Sequence, residues 1–227
     1  MHKILIIGGG SIGKRHLRNL LALGEKNITV VETNQTRTQE IAKEFSVQIV
    51  GNIAQAFATQ GFQIAFICSP SRFHIEQAIG CAGRGCDLFV EKPLSHTLDH
   101  IDELAAVVKA KSLVTMVGSN WKFYPSFVKM KELLDAAVIG RVLSARCEFG
   151  QYLPDWHPWE DHRQGYSANK HLGGGILLDS HEFDYMTWFL GDVSRVACMA
   201  DRVGDVTVDT EDVAEVSRSL TGQCLRP

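Results

Sequence analysis

The first two dozen residues constrain the fold more than any other stretch. Residues 3–7 are an apolar run after Lys3, residues 8–13 fit the pattern G-x-G-x-x-G, and an apolar stripe at helical spacing follows as far as Gly24. An uninterrupted run of β-branched and leucine residues is typical of a strand that is buried on both faces of a parallel sheet. The order of strand, glycine-rich turn and helix therefore predicts the start of a dinucleotide-binding α/β fold.

Each glycine of this turn has a separate predicted role. Gly8 permits the tight turn, Gly10 lets the backbone approach a pyrophosphate, and Gly13 lets the helix pack closely on the strand. The backbone N–H groups that open the helix, at Ser11 and Ile12, would then face the phosphates. The alternative is a glycine turn without a ligand, but the flanking strand and helix favour the dinucleotide site.

An acidic residue at the end of the next predicted strand indicates which coenzyme binds. Residues 27–31 form this strand, and Glu32 follows it about 20 residues after Gly13, the spacing of the carboxylate that binds the adenosine ribose. A carboxylate there repels a 2′-phosphate and favours NAD. Arg37 lies close enough in sequence to accept that phosphate, so NADP stays open.

Composition excludes several classes of protein. The 227 residues are 45% hydrophobic and 22% charged with a net charge of −3, which is ordinary for a soluble globular protein and gives no basic excess for nucleic acid. No apolar run is long enough to cross a membrane. The six cysteines form no C-x-x-C pair, so we expect reduced, mostly buried thiols and a cytoplasmic location.

Strands and helices continue to alternate after Glu32. This alternation predicts a doubly wound parallel sheet with its ligand site at the carboxyl ends of the strands. The predicted helices are residues 36–45, 53–59, 73–83 and a segment from Ile101 to Val108, and the predicted strands are residues 47–50, 63–68, 87–91 and 113–117.

Polar residues follow the predicted strands where a coenzyme would lie. Ser69 and Pro70 come after one strand, Glu91 and Lys92 after the next, and Asn120 after the last. A proline at a strand end is usually only a terminator. The charged pair is more informative, because charges next to a buried strand are unfavourable unless they are used or paired.

The pattern changes from about residue 140. We predict a dinucleotide-binding domain over residues 1–120 and a second α+β domain over residues 121–227. The segments expected there are a strand with one wet face at 141–149, a polar aromatic loop at 152–172, a helical stretch at 173–190, and strands at 195–200 and 213–216, with no strand alternation in 217–227.

The loop over residues 155–171 permits three interpretations. Its histidines do not have the spacing of a structural zinc site, so we predict no metal. Its aromatic rings, with nearby polar groups, could contact a sugar ring, and a simply packed loop is the remaining interpretation. The candidate ring platforms are Trp156, Trp159 and Tyr166, and the candidate hydroxyl partners are Asp155, His157 and Arg163.

With these residues placed, the chain resembles the glucose–fructose oxidoreductase / inositol dehydrogenase / MocA (Gfo/Idh/MocA) family of NAD(P)-dependent oxidoreductases. The motifs behind the resemblance are residues 8–13, Cys68-Ser69-Pro70 with His74, Glu91-Lys92-Pro93, residues 120–125 and residues 173–184. The resemblance implies a Rossmann domain that binds NAD and a second domain with an open, mostly antiparallel sheet. It also implies a small carbohydrate substrate, oxidised or reduced at a secondary alcohol of a sugar, sugar acid or nucleotide sugar, and a homo-oligomer.

The resemblance further implies residue roles. Lys92 is expected to hydrogen-bond the substrate hydroxyl, His181 to remove its proton, and Asp179 to orient or charge-balance the two. Pro70, His74 and Glu91, with Ser69 and Asn120 nearby, are expected to line the nicotinamide half of the coenzyme. Related alternatives are a glycosidase that uses NAD transiently and a catalytically silent dinucleotide-binding chain.

The sequence departs from the family at two points. Only Ser180 separates Asp179 from His181, and residues i and i+2 of a helix point in different directions. Either the helix begins at about Ser180 with Asp179 in the loop, or one residue has lost its role, in which case we retain His181. Family members also continue beyond the strands seen here, so we expect an incomplete second sheet with an unpaired edge.

Overall fold

The chain forms two compact units in the computed structural model, Met1–Gly118 and Ser119–Pro227, and each is described separately. The structure describes residues 1–156, 158 and 161–220. Among these residues, no helix is long and apolar enough to cross a membrane.

Six parallel strands form the sheet of the first unit. They are β1 (Ile4–Ile7), β2 (Ile28–Val31), β3 (Gln48–Val50), β4 (Ile64–Ile67), β5 (Asp87–Val90) and β6 (Thr115–Val117). Their spatial order is β3-β2-β1-β4-β5-β6, with Ile7 paired to Val31 on one side and to Ile67 on the other. The chain therefore reverses its direction of winding between β1 and β4, the place where open α/β sheets bind ligands.

Helices join the strands and cover the sheet. They are α1 (Ser11–Ala22), α2 (Gln35–Glu44), α3 (Ile53–Thr59), α4 (His74–Ala82) and α5 (Ile101–Lys111). Two hydrophobic clusters fill the unit, one around Ile4, Ile6 and Leu17 and the other around Leu5 and Ile67. Neighbouring residues of β1 belong to different clusters because side chains alternate between the faces of a strand, so the sheet is covered on both sides.

The carboxyl ends of the strands line up along one edge. Gly8 N–H donates to Val31 O, and Cys68 N–H donates to Ile7 O. The next residues along the edge continue the ladder, with Glu91 N–H donating to Ile67 O and Gly118 N–H donating to Val90 O. These bonds place the turns after β1, β4, β5 and β6 side by side.

The second unit combines helices with a small antiparallel sheet. Its elements are α6 (Pro125–Asp135), α7 (Leu153–Trp156), α8 (His181–Leu190), β7 (Val193–Asp201) and β8 (Val213–Leu220). Aromatic side chains form its core, where Tyr185 and Phe189 of α8 pack against Trp121 and Phe127. The fold class is therefore the predicted one, a doubly wound parallel sheet followed by a smaller α+β unit.

Three predictions for the second unit are wrong. Residues 141–149 form no strand, because alternation shows only that a segment has two different faces and a strand also needs a hydrogen-bonded neighbour. The stretch 173–190 is α-helical only from His181. Gly173 and Gly175 have φ values of +90° and +87°, which a right-handed helix cannot contain, and only a short 3-10 turn, Ile176–Leu178, lies between them and α8. Strand β8 continues to Leu220 instead of ending at 216; residues 221–227 lie outside the described range.

The cysteines match the prediction only in part. Cys68, Cys81 and Cys86 are buried in the first unit, whereas Cys147 and Cys198 in the second are exposed. None of these five is in a disulfide, and Cys224 lies outside the described residues.

Candidate active site

Two glycines of the first turn are required by close packing of the backbone. Gly8 has a φ of +98°, and a Cβ built on it would lie 2.7 Å from Cys68 O. A Cβ on Gly13 would lie 1.9 Å from Gly8 O, so α1 could not approach β1 with any larger residue. Both positions agree with the roles predicted for the first and third glycines of the motif.

Gly10 differs from its neighbours because nothing lies within 4 Å of a Cβ built on it. It is the N-cap residue of α1, with no side-chain cap, and the first turn holds no acidic residue. The N–H groups at this end of the helix, including those of Ser11 and Ile12, therefore face an open space with the positive end of the helix dipole. This cradle fits the pyrophosphate of a dinucleotide.

Glu32 lies at the end of β2, beside the same turn. Its Oε2 accepts a hydrogen bond from Gly9 N–H at 2.8 Å, and its Oε1 accepts one from Asn34 N–H at 2.7 Å. The residue is only 7% exposed, so these two bonds hold its carboxylate in place. Each carboxylate oxygen has a second lone pair, which leaves acceptor capacity for a ribose hydroxyl.

Lys92 follows Glu91 at the end of β5. Glu91 is 8% exposed; its Oε1 lies 2.7 Å from His16 Nε2, and its Oε2 accepts Lys92 N–H at 3.1 Å. The partner that this buried carboxylate needed is therefore His16, on α1. The Lys92 side chain is half-buried at the same strand end.

His74 is enclosed by two backbone turns. Its Nε2 lies 2.8 Å from Ser69 O and its Nδ1 lies 2.9 Å from Pro93 O, and the residue is 1% exposed. Burial lowers the pKa of His74, although both carbonyl oxygens and the charge of Glu91 act in the opposite direction. Because both ring nitrogens are engaged with the backbone, the geometry favours bracing of the two turns over contact of His74 with a coenzyme.

Ser69 and Pro70 form the turn after β4. The Ser69 hydroxyl donates to Gln77 Oε1 at 2.7 Å, which ties the turn to α4, and Pro70 O accepts Phe73 N–H at 2.9 Å. Both residues are half-buried at the carboxyl edge of the sheet. Together with the turn of Gly8, the end of β2 and the end of β5, this turn completes the edge at which the sequence predicted the coenzyme.

The second unit contains the remaining predicted site residues. Helix α8 begins at His181 with Ser180 as its N-cap, and Asp179 ends the preceding 3-10 turn, so the helix starts where the first of the two alternatives placed it. The roles of Asp179 and His181 stay predictions. The His181 ring stacks on Trp121, with centroids 5.3 Å apart and planes 28° apart. Asn120, which precedes Trp121, is exposed.

The structure describes part of the aromatic loop. Trp156 is half-buried and Tyr166 is exposed, while Arg163 forms a bidentate pair with Asp161 that holds the pKa of that carboxyl down at about 2. His157 and Trp159 lie outside the described residues, and Asp155 is exposed. The sugar contacts expected of this loop stay a prediction.

Two sets of residues were missed by reasoning from the sequence. His16 is the first; the need of Glu91 for a partner was visible, but nothing in the sequence marked a residue 75 positions away as that partner. The second is the ion pair between Lys122 Nζ and Asp184 Oδ1 at 3.0 Å, which joins the turn of Trp121 to the first half of α8. Both depend on tertiary proximity, which a motif does not show.

Comparison with known proteins gives the family. Residues 2–119 match the sequence profile of an oxidoreductase family with an NAD-binding Rossmann fold, the Gfo/Idh/MocA family, and residues 127–224 match a C-terminal domain of the same family. The first profile alone covers more than half of the chain.

Individual relatives agree with this assignment. The levoglucosan dehydrogenase of Pseudarthrobacter phenanthrenivorans is 28% identical over 204 residues, which is 84% of this chain and 52% of that protein. The myo-inositol 2-dehydrogenase of Thermotoga maritima is 28% identical over 214 residues, 92% of this chain and 60% of that protein. The chain thus spans only about half to three fifths of the length of these relatives.

A solved structure shows the same fold at lower identity. The WlbA dehydrogenase of Bordetella pertussis, crystallised with NADH and UDP-GlcNAcA, superposes with a TM-score of 0.82 at 16% identity over 96% of this chain and 67% of that one. The two matching profiles, the strand order and the glycine-rich turn lead to one conclusion: the chain belongs to the Gfo/Idh/MocA family of oxidoreductases, with an NAD-binding Rossmann fold in its first unit.

Proposed function

We propose that this chain is the coenzyme-binding and reacting part of an NAD-dependent dehydrogenase that acts on a secondary alcohol of a sugar, cyclic polyol or nucleotide-linked sugar. Residues 1–120 bind the coenzyme in this proposal, and residues 121–227 belong to the substrate side. The substrate class follows the named activities of the relatives, which include levoglucosan and inositol dehydrogenases.

One observation supports the proposal most strongly. The N-terminus of α1 has no side-chain cap, and among the described residues nothing lies within 4 Å of a Cβ built on its N-cap residue, Gly10, beside the held carboxylate of Glu32. A helix end without a cap leaves backbone donors to be satisfied by water or an anionic ligand. Here the turn geometry, the dipole and the acidic residue all suit a dinucleotide, and Lys92 stands at the same edge of the sheet.

The coenzyme choice follows from charge. The Glu32 carboxylate is fixed next to the turn and would repel a 2′-phosphate, whereas its remaining lone pairs can accept from a 2′-hydroxyl. Arg37 is exposed on α2 and donates its backbone N–H to Asn34 Oδ1. We therefore expect NAD to bind at least about tenfold more tightly than NADP, a difference of roughly 1.4 kcal/mol.

The chain's own residues would do the following. The Lys92 ammonium donates a hydrogen bond to the substrate oxygen and stabilises the negative charge that develops there as the C–H bond breaks. His181 accepts the hydroxyl proton at a ring nitrogen, the role of a general base. Asp179 lies in the loop one residue before the N-cap of α8, and the role proposed for it is to orient or charge-balance these groups. NAD, when bound, supplies the acceptor for the hydride.

The test separates binding from turnover. Wild-type chain is titrated with NADH and NADPH by fluorescence and then assayed for NAD reduction with inositols, levoglucosan and a nucleotide sugar acid. Lys92→Ala should lower kcat by about 10²- to 10³-fold, as removal of an oxyanion donor does, and should change the NADH affinity less than threefold. Lys26→Ala, at an exposed lysine before β2, is the matched control and should behave as wild type.

Two results would contradict the proposal. If the wild-type chain binds neither NADH nor NADPH at millimolar concentration, the proposed dinucleotide site is refuted. Release of an aryl leaving group from a glycoside without accumulation of NADH would instead identify a glycosidase that returns its NAD unchanged.

A further inference from the structure

A nearly buried histidine–carboxylate pair connects the coenzyme-binding helix with the end of β5. His16 lies on α1, six positions after Gly10, and its Nε2 is 2.7 Å from Oε1 of Glu91. Only 16% of the His16 side chain and 10% of the Glu91 side chain are exposed. The two residues belong to different elements of one unit, so the contact fixes α1 relative to the strand end.

The surroundings fix the plane of the imidazole. The His16 ring meets the edge of Phe89 at a centroid distance of 4.9 Å and lies tilted over Phe66 at 5.5 Å, and the two phenyl rings stack on each other at 4.9 Å. On the other side, a Cβ built on Gly118 would lie 3.1 Å from the Glu91 carboxylate, so a side chain there would press on this group. The carboxylate is therefore confined by α1, β5 and the end of β6.

The second oxygen of Glu91 extends the contact to Lys92. Oε2 accepts the backbone N–H of Lys92 at 3.1 Å, so one carboxylate is held by His16 and in turn holds the backbone of the next residue. A buried pair of this kind adds little net stability, because desolvation offsets the attraction. Its main effect is geometric, because it fixes the position of the Lys92 backbone.

We propose that His16 and Glu91 are positioning residues, which set the backbone of Lys92 relative to the phosphate-binding end of α1. The inference rests on the proposed function for the role of Lys92 in turnover, but the bracing itself is a property of the first unit. A misplacement of a reacting group by about 1 Å can lower a rate by about 100-fold, so a brace at this point would be felt in turnover.

Two substitutions separate the hydrogen bond from the packing. His16→Phe keeps an aromatic ring against Phe66 and Phe89 but removes the donor, and His16→Gln offers an amide N–H close to the position of Nε2. His2→Phe is the control, since it removes another histidine–glutamate contact of 2.7 Å, to Glu25, at an exposed site away from β5.

The first measurement needs no activity. Hydrogen–deuterium exchange of the Lys92 amide is followed by NMR in the full chain, with thermal unfolding measured alongside. We expect His16→Phe to accelerate exchange of this amide at least about tenfold, while His16→Gln restores protection and His2→Phe changes nothing. Unchanged exchange in His16→Phe would overturn the proposal, as would equal acceleration across the whole sheet, which would show general destabilisation.

The second measurement uses turnover. With a substrate found for the wild-type chain, His16→Phe should lower kcat by about 10- to 100-fold and leave KM for the alcohol and the NADH affinity within about twofold. His16→Gln should recover most of kcat. Parallel losses of kcat and NADH affinity in both variants would overturn the positioning role. If His16→Phe accelerates exchange of the Lys92 amide as expected but the wild-type chain oxidises no alcohol, the proposed function is refuted and the positioning of the Lys92 backbone by His16 and Glu91 is retained.

Discussion

At the scale of single residues, the three glycines of the first turn respond to different constraints. Gly13 is packed against Gly8 O, Gly8 needs a positive φ and lies against Cys68 O, and Gly10 has neither limitation. Since Gly10 has a φ of −69°, the protein itself would accept a side chain there. The remaining reason for glycine at that position is the approach of a ligand.

This contrast gives a paired prediction. Gly10→Ala should fold with unchanged or slightly higher stability, by about 0.5 kcal/mol, because alanine restricts the unfolded chain, and it should weaken NADH binding at least about tenfold. Gly13→Ala should lower the free energy of unfolding by about 3 kcal/mol, because the new methyl group overlaps Gly8 O. Urea unfolding and NADH fluorescence titration measure the two effects.

One result would contradict the prediction for Gly10. If Gly10→Ala binds NADH as tightly as the wild type, no coenzyme approaches the backbone at this position. Gly24→Ala is unsuitable as a control because its φ is +89°; Gly61, which has open space around it and no positive φ, serves instead.

Sequence motifs predicted the residues whose role follows from local geometry. They did not predict hydrogen-bond partners that are distant in sequence. The separate tasks of Gly8 and Gly13 and the position of Glu32 follow from a turn between a strand and a helix, which a few adjacent residues determine. His16 and His74 act across the sheet edge, toward Glu91 and toward Pro93, and only the fold brings these groups together.

At the scale of elements, the first unit was predictable because each strand is short, apolar and bounded by turn residues. The predicted strand ends agree within about two residues and the helix ends within about three, as expected where helix and strand ends fray. Residues 141–149 show the limit of prediction from periodicity. Apolar and polar residues alternate there, but the segment pairs with no strand. The start of α8 shows a second limit, because the break between the 3-10 turn and the helix lies at Asp179, whose φ of −111° and ψ of 76° no periodicity indicates.

His74 provides a test of how the turns after β4 and β5 are joined. Its ring lies between Ser69 O and Pro93 O, and the neutral imidazole has one N–H to donate. His74→Ala should remove this donor and open a cavity, lowering the free energy of unfolding by about 2–4 kcal/mol. His74→Gln, which keeps one donor, should lose less. Urea denaturation at pH 7.5 measures both variants, with exposed His2→Ala as the control. Equal stability of His74→Ala and wild type would show that the two turns hold each other without the ring.

At the scale of the whole molecule, the two units have unlike interiors. The first is filled from both sides of its sheet by aliphatic residues and thiols, and the second by stacked aromatic rings next to an open two-stranded sheet. The alternation of strands and helices predicted the first architecture directly, because each βαβ unit repeats the same local pattern. The second depends on contacts among Trp121, Phe127 and α8 that no periodicity shows.

The cysteines report on this difference between the units. Burial raises the pKa of Cys81 to about 12 and that of Cys86 to about 11, and the Cys86 thiol donates to Phe62 O at 3.2 Å, whereas Cys198 of β7 is exposed. Only the thiolate is alkylated, so native Cys81 and Cys86 should react with iodoacetamide at pH 8.5 at least about 100-fold more slowly than Cys198, as followed by mass spectrometry.

The raised pKa values of Cys81 and Cys86 also make the free energy of unfolding depend on pH. The unfolded thiols lose protons near pH 8.5 while the folded ones keep them, so the contribution of these thiols to stability is complete below that pH and falls as pH rises toward 11–12. Urea should expose Cys81 and Cys86 together when the first unit unfolds, and native-state labelling of either at the rate of Cys198 would contradict a closed core in that unit.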